Sequence, residues 1–269
     1  MNEYAIFMDI DGTLVDDHQH ITPKTKAAIQ TLSKKGQHFF IATGRMLDAA
    51  RAIAAQLGPN VGVIASNGAV IQTTSGVKCK HLGIEALTAT YQAAAKNKIS
   101  TFYFTPERVY YTDQLPDYFS ADANHRVAGT NQPKYEQVSD LADLLTHETE
   151  IVNGIMISDD DPVGLANASA FLGTCPNLDI STSAPNNIEL LPLGVTKATA
   201  IRAICQDLEI PMTHTMAFGD GENDLAMLKT VNIGVAMANA VPKVANSVRN
   251  HTDSNLNDGI ATFLTHYFD

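Results

Sequence analysis

Tyr4-Ala5-Ile6-Phe7-Met8-Asp9-Ile10-Asp11-Gly12-Thr13 opens apolar and turns abruptly acidic. A short continuous apolar run ended by a turn signal suits a buried strand over residues 4–8. Side chains alternate across a strand, so Asp9 and Asp11 share a side while Ile10 packs the other way. Both carboxylates can then face out at the carboxyl end of the strand, where parallel sheets bind their ligands. Gly12 lets the chain turn sharply away. Adjacent carboxylates repel, which raises one pKa unless a cation compensates. One nucleophilic carboxylate beside one proton carrier is a useful division of labour. A bare Asp-Gly would mark only a turn; the five-residue string at a strand end carries more.

The residues that follow alternate helix and strand. Thr22-Pro23 reads as an N-cap with proline at the first helical position. Ala28, Ile29 and Leu32 keep helical spacing until Gly36. Residues 38–42 form the next strand, Met46, Ala50, Ile53 and Leu57 the next helical stripe, and residues 61–65 a third strand. Strands separated by single helices imply a parallel sheet with both faces covered. Ser66-Asn67-Gly68 is a turn, and 70–72 with 77–79 read as a hairpin around Ser75-Gly76.

From about Leu82 to Leu191 the rhythm changes. Helical stretches near 85–96, 139–145 and after Asp161-Pro162 are interleaved with strands at 101–104, 109–112, 151–157, 180–183 and 188–191. Strands in quick succession, several with alternating polar residues, predict a separate α+β unit whose sheet is partly antiparallel and solvated on one face. Asp140 and Asp143 read as a solvated helix face, and His81, His125 and His147 as surface residues without ligand spacing. After Gly194 the alternation returns, with a helix through Ile201, Ile204, Cys205 and Leu208, strands at 215–218 and 233–236, and a helix at 225–228. The simplest organisation is one α/β domain, 1–81 and 192–269, interrupted by an insertion, 82–191.

Composition bounds the function. With 269 residues, 45% of them hydrophobic, the chain can bury a sizeable core. A net charge of −11 argues against nucleic acid or an anionic membrane as the main partner. Cys79, Cys175 and Cys205 are odd in number and widely spaced, unlike a disulfide framework or a zinc site. No apolar run approaches the ~20 residues that span a bilayer, and the start does not resemble a leader, so a cytoplasmic location is expected.

Three further motifs carry chemistry. Ala42-Thr43-Gly44-Arg45 ends the second strand; a hydroxyl and a backbone N–H at a helix entrance suit a phosphate, although Thr43 could equally be an ordinary N-cap. Lys197, in Gly194-Val195-Thr196-Lys197, opens a helix, where the macrodipole disfavours a cation unless an anion is near; a solvated surface lysine is the alternative. Gly219-Asp220-Gly221-Glu222-Asn223-Asp224 follows a strand. Three acidic residues so close repel without a counter-ion, and such hard oxygen ligands suit magnesium, against the alternative of a capped acidic helix start.

In this order the four signals resemble the haloacid dehalogenase superfamily, with Asp9 to Thr13, Thr43, Lys197 and Gly219 to Asp224 matching its four motifs. The strings Ile41 to Arg45, Gly194 to Lys197, Gly219 to Leu228 and Gly234-Val235-Ala236-Met237-Ala238-Asn239-Ala240 are similar to the Cof-type branch, which contains sugar-phosphate phosphatases. The resemblance implies a Rossmann-like α/β core with residues 82–191 as an inserted mobile cap. It implies Asp9 as nucleophile and magnesium ligand, and Asp11 as acid/base with its backbone carbonyl on the metal. Asp220 would bind the metal directly and Asp224 directly or through water. Thr43, Gly44, Lys197 and Asn223 would hold the phosphate. One departure is visible: where relatives have a hydrophobic last strand, this chain has the polar run Val248-Arg249-Asn250-His251-Thr252-Asp253-Ser254-Asn255.

The expected activity is magnesium-dependent hydrolysis of small phosphorylated metabolites, sugar phosphates foremost, through a phospho-aspartate. Asn187 and Glu189 are candidates for substrate contact. A phosphomutase would use the same phospho-aspartate. A response-regulator-like module is usually far shorter, a non-catalytic sugar-phosphate binder would not need both Asp9 and Asp11, and no Gly-x-Gly-x-x-Gly follows the first strand to suggest a nicotinamide enzyme.

Overall fold

Strands covered on both faces and strands covered on one face sort into two sheets in the computed structural model, which describes residues 2–113, 134–182 and 184–268. The first kind comprises β1 (Ala5–Met8), β2 (His38–Ala42) and β3 (Gly62–Ala65). The hairpin β4 (Val70–Thr73) and β5 (Gly76–Cys79) follows. The second kind comprises β6 (Ser100–Phe104), β7 (Arg108–Tyr111), β8 (Lys134–Gln137), β9 (Asn153–Ile157), β10 (Leu178–Ser181) and β11 (Asn187–Pro192). Three more strands, β12 (Thr215–Gly219), β13 (Ile233–Ala236) and β14 (Asn250–His251), rejoin the first sheet.

Among the described residues the first sheet runs β14-β13-β12-β1-β2-β3-β4-β5, parallel from β14 through β3 and antiparallel at β4 and β5. Its helices are α1 (Pro23–Lys34), α2 (Leu47–Leu57), α6 (Lys197–Asp207), α7 (Leu225–Thr230), α8 (Pro242–Ala245) and α9 (Gly259–Phe268). Among the described residues, the helices of the other sheet, α3 (Gly83–Asn97), α4 (Leu141–Thr146) and α5 (Pro162–Leu172), lie between them in sequence. Alternation along β1 explains why both faces are covered. Ile6 and Met8 pack with Ile29 of α1, Ile53 of α2 and Leu264 of α9, whereas Ala5 and Phe7 pack with Ile201 and Ile204 of α6 and Met227 of α7. Each fully buried Ile, Met or Phe contributes about 1.5–3 kcal/mol. Register aligns Met8 with Ile41 on β2 and with Phe218 on β12, so Asp9, Thr43 and Asp220 emerge at one edge. That edge is the carboxyl end of the central strands, and the sheet grows outward from β1 in both directions, the arrangement that opens a ligand crevice.

The second sheet runs β10-β11-β9-β6-β7-β8 and is antiparallel except where β7 meets β8. Tyr103, Met156, Ile188 and Leu190 pack against Leu87 of α3, Leu144 of α4 and Leu165 of α5. The alternate side chains, Glu189 among them, belong to the opposite face.

Several expectations need correction. β8 carried no strand signal. The last strand does form despite its polarity, as two edge residues paired with Val235 and Ala236, and α9 beyond it was not anticipated. Met46 is the N-cap of α2, and Leu47 takes the buried position. Asp140 and Asp143 cap α4: the Asp140 carboxylate accepts the Asp143 N–H (2.9 Å) and Asp143 accepts the Ser139 N–H (2.9 Å). His147 is half-buried, its ring stacked on Tyr110 with centroids 4.1 Å apart. His125 and Ser183 lie outside the described residues.

Candidate active site

The chain leaves β1 through a tight turn, with the N–H groups of Thr13, Leu14 and Val15 all on the Ile10 carbonyl. Gly12 has a φ of +75°, and a Cβ there would come within 2.3 Å of the Asp220 carboxylate. This close approach brings the β1 and β12 loops together. Thr13 Oγ1 donates to Asp220 Oδ1 at 2.7 Å, and Asn239 Nδ2 donates to the Gly12 carbonyl at 2.7 Å.

Asp9, Asp220 and Asp224 each offer a carboxylate oxygen within 4.8 Å of the others. Asp9 is 6% exposed and Asp224 fully buried. Between them sits Lys197, 2% exposed, its Nζ donating to Asp9 Oδ1 (2.6 Å) and Asp224 Oδ1 (2.7 Å). The remaining oxygen of Asp224 accepts the N–H groups of Asp220 (3.0 Å) and Gly221 (3.1 Å). Asp224 therefore fastens both the loop that carries Asp220 and the lysine beside Asp9. Thr196 caps α6 through the Thr199 N–H, with a reciprocal bond from the Thr196 N–H to the Thr199 hydroxyl, and this fixes where Lys197 starts.

Asp9, Asp11, Thr43, Gly44, Asp220 and Asn223 line a cavity of about 410 Å³, together with Arg45 and Gly221. Lys197 and Asp224 do not line it. The expected helix entrance at Thr43 is displaced: α2 starts only at Leu47, and the Thr43 N–H is held by the Ile64 carbonyl (2.8 Å). The Thr43 hydroxyl accepts the Arg45 N–H (3.1 Å), and its own proton has no acceptor among the described residues. Glu222, read with the acidic cluster, turns outward to Lys243.

Burial pushes the Asp9 carboxyl up to about 7; Lys197 pulls it down, but Asp224 and Asp11 add to the rise. Burial also raises Asp220, against the Thr13 hydroxyl. Burial works against the Lys197 ammonium, yet Asp9 and Asp224 outweigh it and hold the proton more tightly than usual. With all four ionised, Asp9, Asp11, Asp220 and Asp224 outnumber the two cations Lys197 and Arg45 by two negative charges, an excess that adds to burial in keeping Asp9 and Asp220 protonated more readily than usual. Oxygen donors with that excess fit a hard divalent cation.

Arg45 and Asn67, outside the expected set, also reach the site or its border. Arg45 grips both oxygens of Asp11, with Nε to Oδ2 at 2.9 Å, and also contacts the Gln19 amide oxygen. Asn67 adjoins Gly44 and donates from Nδ2 to Glu189 Oε2 at 3.0 Å, across from one sheet to the other. Of the two residues expected to contact substrate, Asn187 is buried and closes a turn onto the Ala184 N–H, while Glu189 makes this cross-sheet bond. The Gly-Arg and Asn-Gly dipeptides were visible in the sequence, but nothing local tells an arginine or asparagine what lies opposite it in space. Among the described residues no helix is long and apolar enough to cross a membrane.

The haloacid dehalogenase-like hydrolase family model matches residues 6–264. The chain is 29% identical over 266 residues to the 5-amino-6-(5-phospho-D-ribitylamino)uracil phosphatase YcsE of Bacillus subtilis, covering 97% of this chain and 94% of that one. It is 27% identical over 272 residues to the HMP-PP phosphatase of Citrobacter koseri, covering 97% and 94%. Among solved structures, a haloacid dehalogenase-like hydrolase from Bacteroides thetaiotaomicron superposes with a TM-score of 0.84 at 22% identity, covering 99% of this chain and 100% of that one. The subclass IIB sugar phosphatase BT4131 gives 0.80 at 24% identity, covering 98% and 99%. The chain therefore belongs to the haloacid dehalogenase-like hydrolase family, as one of its phosphatases.

Proposed function

We propose that this phosphatase is magnesium-dependent and cleaves small phosphomonoesters, sugar and polyol phosphates foremost, through a phospho-aspartate on Asp9. The observation that carries the reading is the meeting of Asp9, Asp220 and Asp224 within 4.8 Å, with Asp9 and Asp220 lining a cavity of about 410 Å³. Magnesium would be held by the carboxylates of Asp9 and Asp220 and the backbone carbonyl of Asp11, with Asp224 in support directly or through water. Its chemistry there is to offset the charge that spreads over the phosphoryl oxygens.

The protein groups divide the remaining work. A carboxylate oxygen of Asp9 forms a bond to phosphorus while the bond to the leaving oxygen breaks, and Asp11 gives that oxygen its proton. Asp11 then takes a proton from water, whose oxygen attacks phosphorus and releases the Asp9 carboxylate and inorganic phosphate. Lys197 keeps Asp9 aligned and adds positive charge behind it. The Thr43 hydroxyl, the Gly44 backbone and the Asn223 amide, all lining the cavity, would hold phosphoryl oxygens. The second sheet, with residues 82–191 as a cap, would exclude water and shape the site around the leaving group. Support for the substrate class comes from relatives named for a phosphorylated ribityl compound and for sugar phosphate.

The test is phosphate release from a panel of phosphorylated metabolites. EDTA should stop turnover and added magnesium restore it. Full activity in chelator would remove the metal from the reaction.

A further inference from the structure

Asp11 has a demanding position in this scheme. Its side chain is 57% exposed at the cavity rim, yet it must deliver a proton to one oxygen and collect one from a water at nearly the same point. Proton transfer requires heavy atoms about 2.6–3.2 Å apart, and a misplacement of about 1 Å can cost roughly a hundredfold in rate. Neighbouring carboxylates would push an unsupported Asp11 away from Asp9.

The structure supplies a support. Arg45, whose side chain is 23% exposed, presents two nitrogens to the two oxygens of Asp11, the bidentate fork that fixes a carboxylate in plane and direction. The guanidinium is itself braced, because Nη2 also donates to Gln19 Oε1. Gln19 is held in turn. It has a φ of +65°, in a turn where Asp16 Oδ1 accepts the N–H groups of His18 (2.9 Å) and His20 (2.8 Å) and the Gln19 N–H reaches the Asp16 carbonyl (3.0 Å). The far end of Arg45 is tied as well, since its own N–H sits on Thr43 Oγ1.

We propose that Arg45, braced by Gln19, is the positioning residue that aims the Asp11 carboxyl at the leaving oxygen. This rests on the phospho-aspartate reading above. The Arg45 guanidinium is taken up by Asp11 and Gln19, so the role assigned to it is exercised through Asp11. When Asp11 carries its proton, one oxygen remains on Nε while the other turns to the leaving group, and Gln19 keeps the guanidinium in place throughout.

The experiment compares two substrates that differ in need for a proton. In the first step an alkyl phosphate loses a basic alkoxide and depends on Asp11, whereas 2,4-dinitrophenyl phosphate loses a stable phenolate and does not; hydrolysis of the phospho-aspartate, with Asp11 as base, is common to both. The quantity read is therefore the ratio of kcat/KM on the alkyl phosphate to kcat/KM on the aryl phosphate, which covers only the steps up to departure of the leaving group. Arg45→Ala should lower that ratio by about 10–100-fold. Arg45→Lys keeps the charge without the fork and should lower it similarly. Gln19→Leu, in a surface loop, should move it the same way by a few-fold.

A ratio within about twofold of wild type in Arg45→Ala overturns the proposal; should that variant not fold, the same result in Gln19→Leu does so. Equal losses of kcat/KM on both substrates, or Arg45→Lys behaving as wild type, overturn it too. Wild-type enzyme that releases phosphate from neither substrate would instead remove the reading on which this rests.

Discussion

Asp9 carries opposing demands. In the proposed mechanism it must be ionised to attack phosphorus, yet burial and two nearby carboxylates push its pKa from 3.8 up to about 7, with Lys197 opposing them. A folded-state pKa above the unfolded one means that the native state binds more protons between those values. The stabilising contribution of this group is full below about pH 3.8 and gone once pH has passed about 7, so metal-free protein loses stability as pH rises through that window. Asp9→Asn removes the titration, and relative to wild type the metal-free variant should gain stability from pH 5 to pH 8. Thermal denaturation in EDTA at several pH values checks this; parallel curves for the two proteins would sink it. The same variant should lose activity on an aryl phosphate by about 10⁴-fold, as nucleophile removals do, and residual turnover above about one per cent would speak against covalent catalysis. A stability difference that moves in the variant's favour as pH rises, alongside lost activity, separates a functional carboxylate from a structural one.

The helices and strands that hold these residues were largely legible in the sequence, for local reasons. Thr22-Pro23 does cap α1, with the Thr22 hydroxyl accepting the Thr25 N–H, and the apolar runs of β1, β2, β3, β12 and β13 are covered on both faces as their composition requires. What escaped was set by tertiary neighbours. β14 is two polar residues that form a strand only because β13 offers a free edge, and the Asn250 amide donates to the Gly234 carbonyl (3.2 Å). Lys197 was read as opening a helix, which it does, but the sequence could not show that both oxygens of its environment come from carboxylates rather than from solvent. At this scale the decisive position is Gly68, with a φ of +111°, where a Cβ would lie 2.4 Å from the Thr196 carbonyl oxygen. The turn after β3 thus packs directly on the N-cap of the helix that presents Lys197. Gly68→Ala should combine a disfavoured φ with that clash, costing about 1–3 kcal/mol, and should lower activity by displacing Lys197. Urea denaturation and turnover measured together test it; a variant with wild-type stability and rate would show that the turn does not support α6.

At the scale of the whole chain, the two sheets are joined by segments around residues 80–82 and 193–195 and meet through Asn67 and Glu189. The alternation of β11 foretold that Glu189 would leave the helix-covered face, but not that it would reach the turn beside Gly44. The bond has a cost attached. Donation from Nδ2 to the Glu189 carboxylate orients the amide, because the reverse orientation would set a carbonyl oxygen against a carboxylate, and Oδ1 is then buried with no hydrogen-bond partner. A bond to a charged group contributes about 1.5–3 kcal/mol and an unsatisfied buried acceptor costs about 1–3 kcal/mol, so the two nearly cancel. A contact so balanced would suit the cap role proposed above, in which the two sheets part to admit substrate and release product. Asn67→Ala removes both the bond and the orphaned oxygen. It should change global stability by less than about 1 kcal/mol, while amide hydrogen exchange around residues 80–82 and 193–195 accelerates as the closed arrangement loses its tie. Faster exchange confined to the connecting segments, with an unchanged unfolding midpoint, is the signature of a latch. Unaltered exchange there would mean that apolar packing, such as Val152 among the core residues of the first sheet, holds the two sheets together without it.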